Sequence, residues 1–170
     1  MMFLTEAIEL TLFPAVMAFA ASSDLFTMTI ANRVSVVLVA GFGVLAVLTG
    51  TGATDVLWHA AAAISVLAVV FFFFTRGWIG GGDAKLAAAT VLWLGFAHLA
   101  DYLFYASIFG GMLTLLIMYF RSVPLARMFI GRGWAERLHR GDSGVPYGIA
   151  LAAAALVVYP HTQWMAALTQ

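Results

Sequence analysis

The chain has 170 residues, 64% hydrophobic and 9% charged, with a formal net charge of zero and no cysteine. That composition excludes a water-soluble domain and any disulfide framework or thiolate metal site. It also argues against nucleic acid as a partner, because the eight basic residues have no soluble basic domain to hold them.

A membrane helix needs about 20 mostly apolar residues, and apolar runs fall at about residues 7–28, 34–50, 56–75, 84–100, 102–120 and 146–168. The expectation is an all-α integral membrane protein of about six transmembrane helices, forming one polytopic domain over residues 1–170. The first run has an apolar centre at 10–19 and an Ala18-Phe19-Ala20 triplet, as a signal peptide would. The segment before it carries Glu6 and Glu9 and no Lys or Arg, the wrong sign for a signal n-region, so it reads as a retained first helix. The breaks between runs are Ala31-Asn32-Arg33, residues 50–55, a glycine-rich stretch at 77–82, Asp101 with His98 a turn before, and the long segment 121–144. Asp55 after Thr54 reads as the start signal of the third helix, and Phe71–Phe74 as lipid-facing or packing bulk.

The basic residues are one-sided. Arg33 falls in the first connection, Arg76 and Lys85 flank the third, and Arg121, Arg127, Arg132, Arg137 and Arg140 lie in the fifth. The positive-inside rule makes that side cytoplasmic, with both termini outside. Segment 121–144 reads either as a loop made basic to fix topology or as an interfacial element against anionic lipids. In the second reading Pro124 starts a helix, and Leu125, Met128, Phe129, Trp134 and Leu138 form its apolar stripe.

Two acids then stand out, because ionisable groups within membrane spans are costly and tend to be functional. Asp24 ends the first run and Asp83 opens the fourth, so both fall at the same face. Asp24 could simply reach headgroup water. Asp83, following Gly80-Gly81-Gly82, could simply cap a helix. Together, two close carboxylates would share a proton and suit general acid–base hydrolysis, one taking a proton from water while the other hydrogen-bonds the scissile carbonyl. The helix dipole favours the anion at Asp83, which points to Asp83 as base and Asp24 as acid. Gly80 and Gly82 would let a substrate backbone approach. No strand precedes the glycines and no Lys-Ser/Thr pair follows, so they are not a phosphate loop. Lys85 could bias the acids or snorkel to headgroups, and Asn32 could orient Asp24 or cap the second helix. His59, His98 and His161 fall towards the opposite face, and His139 stands alone in the basic segment. No metal cluster emerges and no cofactor is expected.

Gly80-Gly81-Gly82-Asp83 fits the G-x-G-D signature of intramembrane aspartyl proteases, and Gly80-Gly81-Gly82-Asp83-Ala84-Lys85-Leu86 resembles the bacterial type IV prepilin peptidases in particular. The stretch from Asp24 to Ile30-Ala31-Asn32 is similar to that family's first motif, an aspartate followed after several residues by I-P-N. Val145-Pro146-Tyr147-Gly148 resembles the start of its last helix. The resemblance covers about residues 20–150. It implies catalysis by Asp24 and Asp83, with Gly80, Gly82, Lys85, Asn32 and Pro146 in binding or supporting roles, in the bacterial inner membrane. Ala31 stands where the family usually has proline, which leaves that break less rigid. Larger members carry a cytoplasmic cysteine-rich zinc segment and also N-methylate the pilin. This chain has no cysteine, so it resembles the short, tight-adherence (Flp pilus) type. The implied activity is cleavage of a small prepilin after its leader, without methylation. The competing expectation is a small transporter or channel subunit using the two acids as a cation or proton site, although such sites usually lie near the bilayer midplane. A non-catalytic assembly subunit whose glycines serve helix packing is a third.

Overall fold

The computed structural model describes residues 2–166, and among them every regular element is helical. Helices α1 (Met2–Thr27), α2 (Asn32–Thr49), α3 (Ala53–Thr75), α4 (Gly81–Leu94) and α5 (Leu99–Ser122) follow one another, then a short α6 (Gly133–His139), α7 (Tyr147–Val158) and a final turn, α8 (Gln163–Ala166). Four segments are long and apolar enough to cross a membrane: Ile8–Thr27, Asn32–Thr49, Ala53–Thr75 and Phe96–Ser122. The α4 and α7 runs are also helical but shorter.

Helix α4 is the centre of the bundle. It packs on α2, α3 and α7, while α1 packs on α2 and α7, and α5 on α7. Residues Leu86 to Leu94 are all buried, so α4 is apolar all round because protein surrounds it. Its 14 residues span roughly 21 Å, less than the hydrocarbon thickness of about 30 Å. The fourth run was expected to reach residue 100 and break at Asp101. It ends instead at Gly95, whose φ of 67° is a left-handed turn suited to glycine, and Phe96–His98 form a single 3-10 turn. Asp101 sits in the first turn of α5, where the helix dipole favours an acid.

The last run is likewise divided. Helix α7 gives way to a 3-10 turn over Tyr159–His161, since Pro160 has no N–H to continue the helix. Residues 167 and 168 of that run lie outside the described residues. Segment 121–144 also differs from expectation. Pro124 starts no helix, and α6 has only seven residues. Arg121, rather than facing lipid, donates to the carbonyls of Leu138, Ser143 and Gly144 at 2.8–2.9 Å and to the Ser143 hydroxyl at 3.0 Å, folding the segment back on the end of α5.

Aromatic packing fixes the end of the bundle remote from this segment. Trp93 is fully buried among Phe13, Phe42, Tyr159 and Trp164. Its indole donates to the Leu38 carbonyl at 2.9 Å, and Trp164 donates to the Trp93 carbonyl at 2.8 Å. His59 meets the Leu92 carbonyl and His59 and Gln163 approach each other there. By contrast α3 and α5 bury few residues, and exposed Phe71, Phe72, Leu115, Leu116 and Met118 make them the lipid-facing flanks.

Ala31 has φ −65° and ψ 141°, angles that proline adopts without strain. Ala31→Pro should therefore stabilise the chain by about 0.4–1 kcal/mol through the unfolded state, seen as a higher unfolding midpoint in detergent. A lower midpoint would show that the Ala31 amide is needed.

Candidate active site

The other end of the bundle gathers the C-termini of α1, α3 and α5 and the N-termini of α2, α4 and α7. In α1 the buried positions Glu9, Phe13, Met17, Ala20 and Asp24 recur every three or four residues, one helical stripe. Asp24 is the last member of that stripe and only 5% exposed. Its partner comes from α7, where the Gly148 N–H donates to Asp24 Oδ2 at 2.7 Å. Gly148 lies in the first turn of that helix, where N–H groups have no intrahelical acceptor and favour an anion.

Asp83 lies in the first turn of α4. It is not the capping residue, a position held by Gly80. Its side chain turns back instead towards Gly80, in the direction of the return half of a capping box. The ends of α1 and α4 that carry the two acids lie together, because Ile30, in the connection that follows Asp24, packs against Gly82 next to Asp83.

Glycines allow this closeness. A Cβ on Gly82 would sit 3.1 Å from Ile30 Cβ and 3.3 Å from the Ile30 carbonyl oxygen. A Cβ on Gly148 would sit 2.8 Å from Asp24 Oδ2 and 2.6 Å from Ile30 Cδ1. A Cβ on Gly80 would sit 3.0 Å from Asp83 Oδ2. Ile30, in the α1–α2 connection, thus touches both helix starts. That connection begins at Met28, whose φ is 55°, and is tied by the Ser23 hydroxyl to the Thr29 carbonyl at 2.9 Å.

The remaining expected residues fall around this centre. Lys85 Nζ donates to Asn32 Oδ1 at 2.9 Å, linking α4 to the first residue of α2. Asn32 caps nothing, since Ala31 is the capping position and makes no side-chain cap bond. Pro146 is buried at the start of α7. Arg137 donates to the Phe26 carbonyl at 3.0 Å, and Trp134 packs edge-on against Phe26, so α6 lies over the end of α1. An apolar cavity of about 540 Å³, walled by Leu25, Leu116, Ile117, Phe120, Pro146 and Ile149 among others, opens beside the site.

Gly148 and Ile30 are the neighbours that sequence reasoning did not assign. Both stand within the motifs that carry the resemblance, yet nothing in their spacing reveals that they meet at Asp24. His59 is held at the opposite end, and among the described residues no group of three His, Asp or Glu side chains could hold a metal ion.

The arrangement offers two carboxylates at one end of a membrane-embedded bundle, Asp24 held by the Gly148 N–H and Asp83 in the first turn of α4. No curated protein and no solved structure matches the chain. The type IV leader peptidase family does match, over residues 11–115, a stretch that includes Asp24, Asn32 and the whole glycine-rich turn to Lys85. The chain belongs to the type IV leader peptidase family.

Proposed function

We propose that this chain is an intramembrane aspartyl endopeptidase that removes the leader of a small, Flp-like prepilin at the cytoplasmic face of the bacterial inner membrane, without N-methylation. What supports the proposal is that Ile30 packs both against Gly82, next to Asp83, and against Gly148, whose amide holds Asp24, within a chain of a peptidase family. In this mechanism the ionised carboxylate accepts a proton from water, which attacks the scissile carbonyl carbon. The protonated carboxylate hydrogen-bonds the carbonyl oxygen and, as the tetrahedral intermediate collapses, a proton passes to the leaving amine.

Gly80 and Gly82 keep the approach to the acids open, while Lys85 and Asn32 brace α4 against α2 and Pro146 sets the start of α7. All eight Lys and Arg residues fall in or beside the segments at this end, which supports a six-span topology with both termini outside. Arg127, Arg132 and Arg140 are exposed there and suit anionic headgroups. The apolar cavity at Leu25 and Pro146 suits the membrane helix that follows a leader.

Co-expression with a candidate prepilin should give a faster-migrating pilin. Mass spectrometry of that product should show a free N-terminus when this chain is the sole processing enzyme. No mobility shift with any prepilin would overturn the peptidase assignment, and a 14-dalton adduct that depends on this chain would overturn the absence of methylation.

A further inference from the structure

A peptide bond can be hydrolysed only if its carbonyl and a water reach both acids, yet Asp24 is almost wholly enclosed. What encloses it is specific. Ile30 lays its backbone against Gly82, so close that an added Cβ would meet its N at 3.4 Å and its O at 3.3 Å, and its side chain against Gly148 beside Asp24. An isoleucine backbone thus runs across the glycine of α4 while its side chain fills the gap to the glycine of α7. That is the course an extended substrate segment would have to take to bring a carbonyl between the two carboxylates.

We propose that Ile30 is the access-determining residue of the site. In the substrate-free enzyme it occupies the slot between Gly82 and Gly148, and an extended, apolar segment of the substrate takes its place. This rests on the peptidase assignment above and adds to it the element that controls entry.

The connection carrying Ile30 is built to move as a short unit. It leaves α1 through Met28 in a left-handed conformation that a bulky side chain adopts at a cost. Thr29, Ala31 and Asn32 are exposed, so Ile30 is the anchor that holds the strap in the bundle. Around it, polar ties join Ser23 and Thr27 to Thr29 and Lys85 to Asn32. Swinging Ile30 out uncovers Asp24 and the Gly148 amide together, leaving α4 and α7 in place.

The test reads the chemical accessibility of Asp24 and needs no prepilin. Purified wild-type, Ile30→Ala and Ile30→Leu chains in lipid nanodiscs are treated with a carbodiimide and an amine, and adducts are counted by peptide mass spectrometry. Exposed Asp142 serves as the reference and buried Glu9, at the other end of α1, as the folding control. Ile30→Ala should raise modification of Asp24 relative to Asp142 by about tenfold, the factor expected when an open state populated about 10% of the time becomes the dominant one. Ile30→Leu, equal in volume, should stay near wild type, and Glu9 should not change in either. An unchanged rate at Asp24, or a rise at Glu9 by the same factor, would overturn the proposal.

With prepilin added, Ile30→Ala should raise kcat/KM through a lower KM, because substrate no longer has to displace a competitor. A fall in kcat/KM would count against displacement. Failure of the peptidase assignment is distinguishable, since it would show as no cleavage of prepilin by the wild-type chain, whatever the modification rates.

Discussion

Asp24→Asn and Asp83→Asn are each expected to lower prepilin cleavage by about 10²–10⁴-fold, the scale of general acid–base catalysis. An amide cannot take a proton from water, nor can it give one to a leaving amine, so each substitution removes one half of the exchange. Both variants should still insert and accumulate. A neutral amide is less costly to bury than a carboxylate, and in Asp24→Asn the oxygen that accepts the Gly148 N–H can remain. Asp55→Asn and Asp101→Asn are the controls, because both residues lie in first turns at the opposite end of the bundle and should cleave normally. Each variant is compared with wild type by the cleaved fraction at matched protein level. Near-normal cleavage by either aspartate variant would reduce that residue to a structural acid.

The second large effect is expected from a residue without a side chain. In Gly148→Ala the new methyl would stand 2.8 Å from Asp24 Oδ2, 3.1 Å from Asp24 Cβ and 2.6 Å from Ile30 Cδ1, separations that non-bonded atoms do not hold. Either α7 withdraws or the carboxylate turns away, and in both cases the 2.7 Å bond from the Gly148 N–H is lost. Overpacking costs about 1–3 kcal/mol and a hydrogen bond to a charged group is worth about 1.5–3 kcal/mol. Cleavage should accordingly fall by about 10–100-fold, at roughly 1.4 kcal/mol per tenfold change. Gly43→Ala in α2 and Gly111→Ala in α5 introduce a methyl with nothing within 4 Å. They should leave cleavage unchanged while gaining up to about 1 kcal/mol of helix propensity. Cleavage by Gly148→Ala within twofold of wild type would mean that the amide does not hold Asp24 in the reacting geometry.

Much of this was legible in the sequence because the bilayer restricts the answer. Four of the six apolar runs hold helices long and apolar enough to cross a membrane, and the glycine-rich turn leads into α4 with Asp83 in its first turn. The stripe Glu9, Phe13, Met17, Ala20, Asp24 could also have been read, and it decides that Asp24 points into the bundle rather than to headgroup water. Helix ends were less legible. Gly95 stops α4 six residues before the Asp101 that looked like the break, since a left-handed backbone angle carries no hydropathy signal. Pro160 divides the last run for a backbone reason as well. What sequence could not show is pairing across long separations. The Gly148 amide reaches Asp24 from 124 positions away, and Arg137 reaches Phe26 across 111. The loop arginines looked available to lipid, yet Arg121 spends its donors on carbonyls of its own segment, because buried carbonyls at a helix end need partners.

The most direct measurement of whether Asp24 and Asp83 form one catalytic unit is the initial rate of prepilin cleavage by purified enzyme in nanodiscs, for wild type, Asp24→Asn, Asp83→Asn and the double variant. Residues that act as a unit are non-additive, so the double variant should be no slower than the slower single, within a factor of about three. A double variant whose loss equals the product of the two single losses would contradict a shared dyad and assign the acids separate, independent tasks.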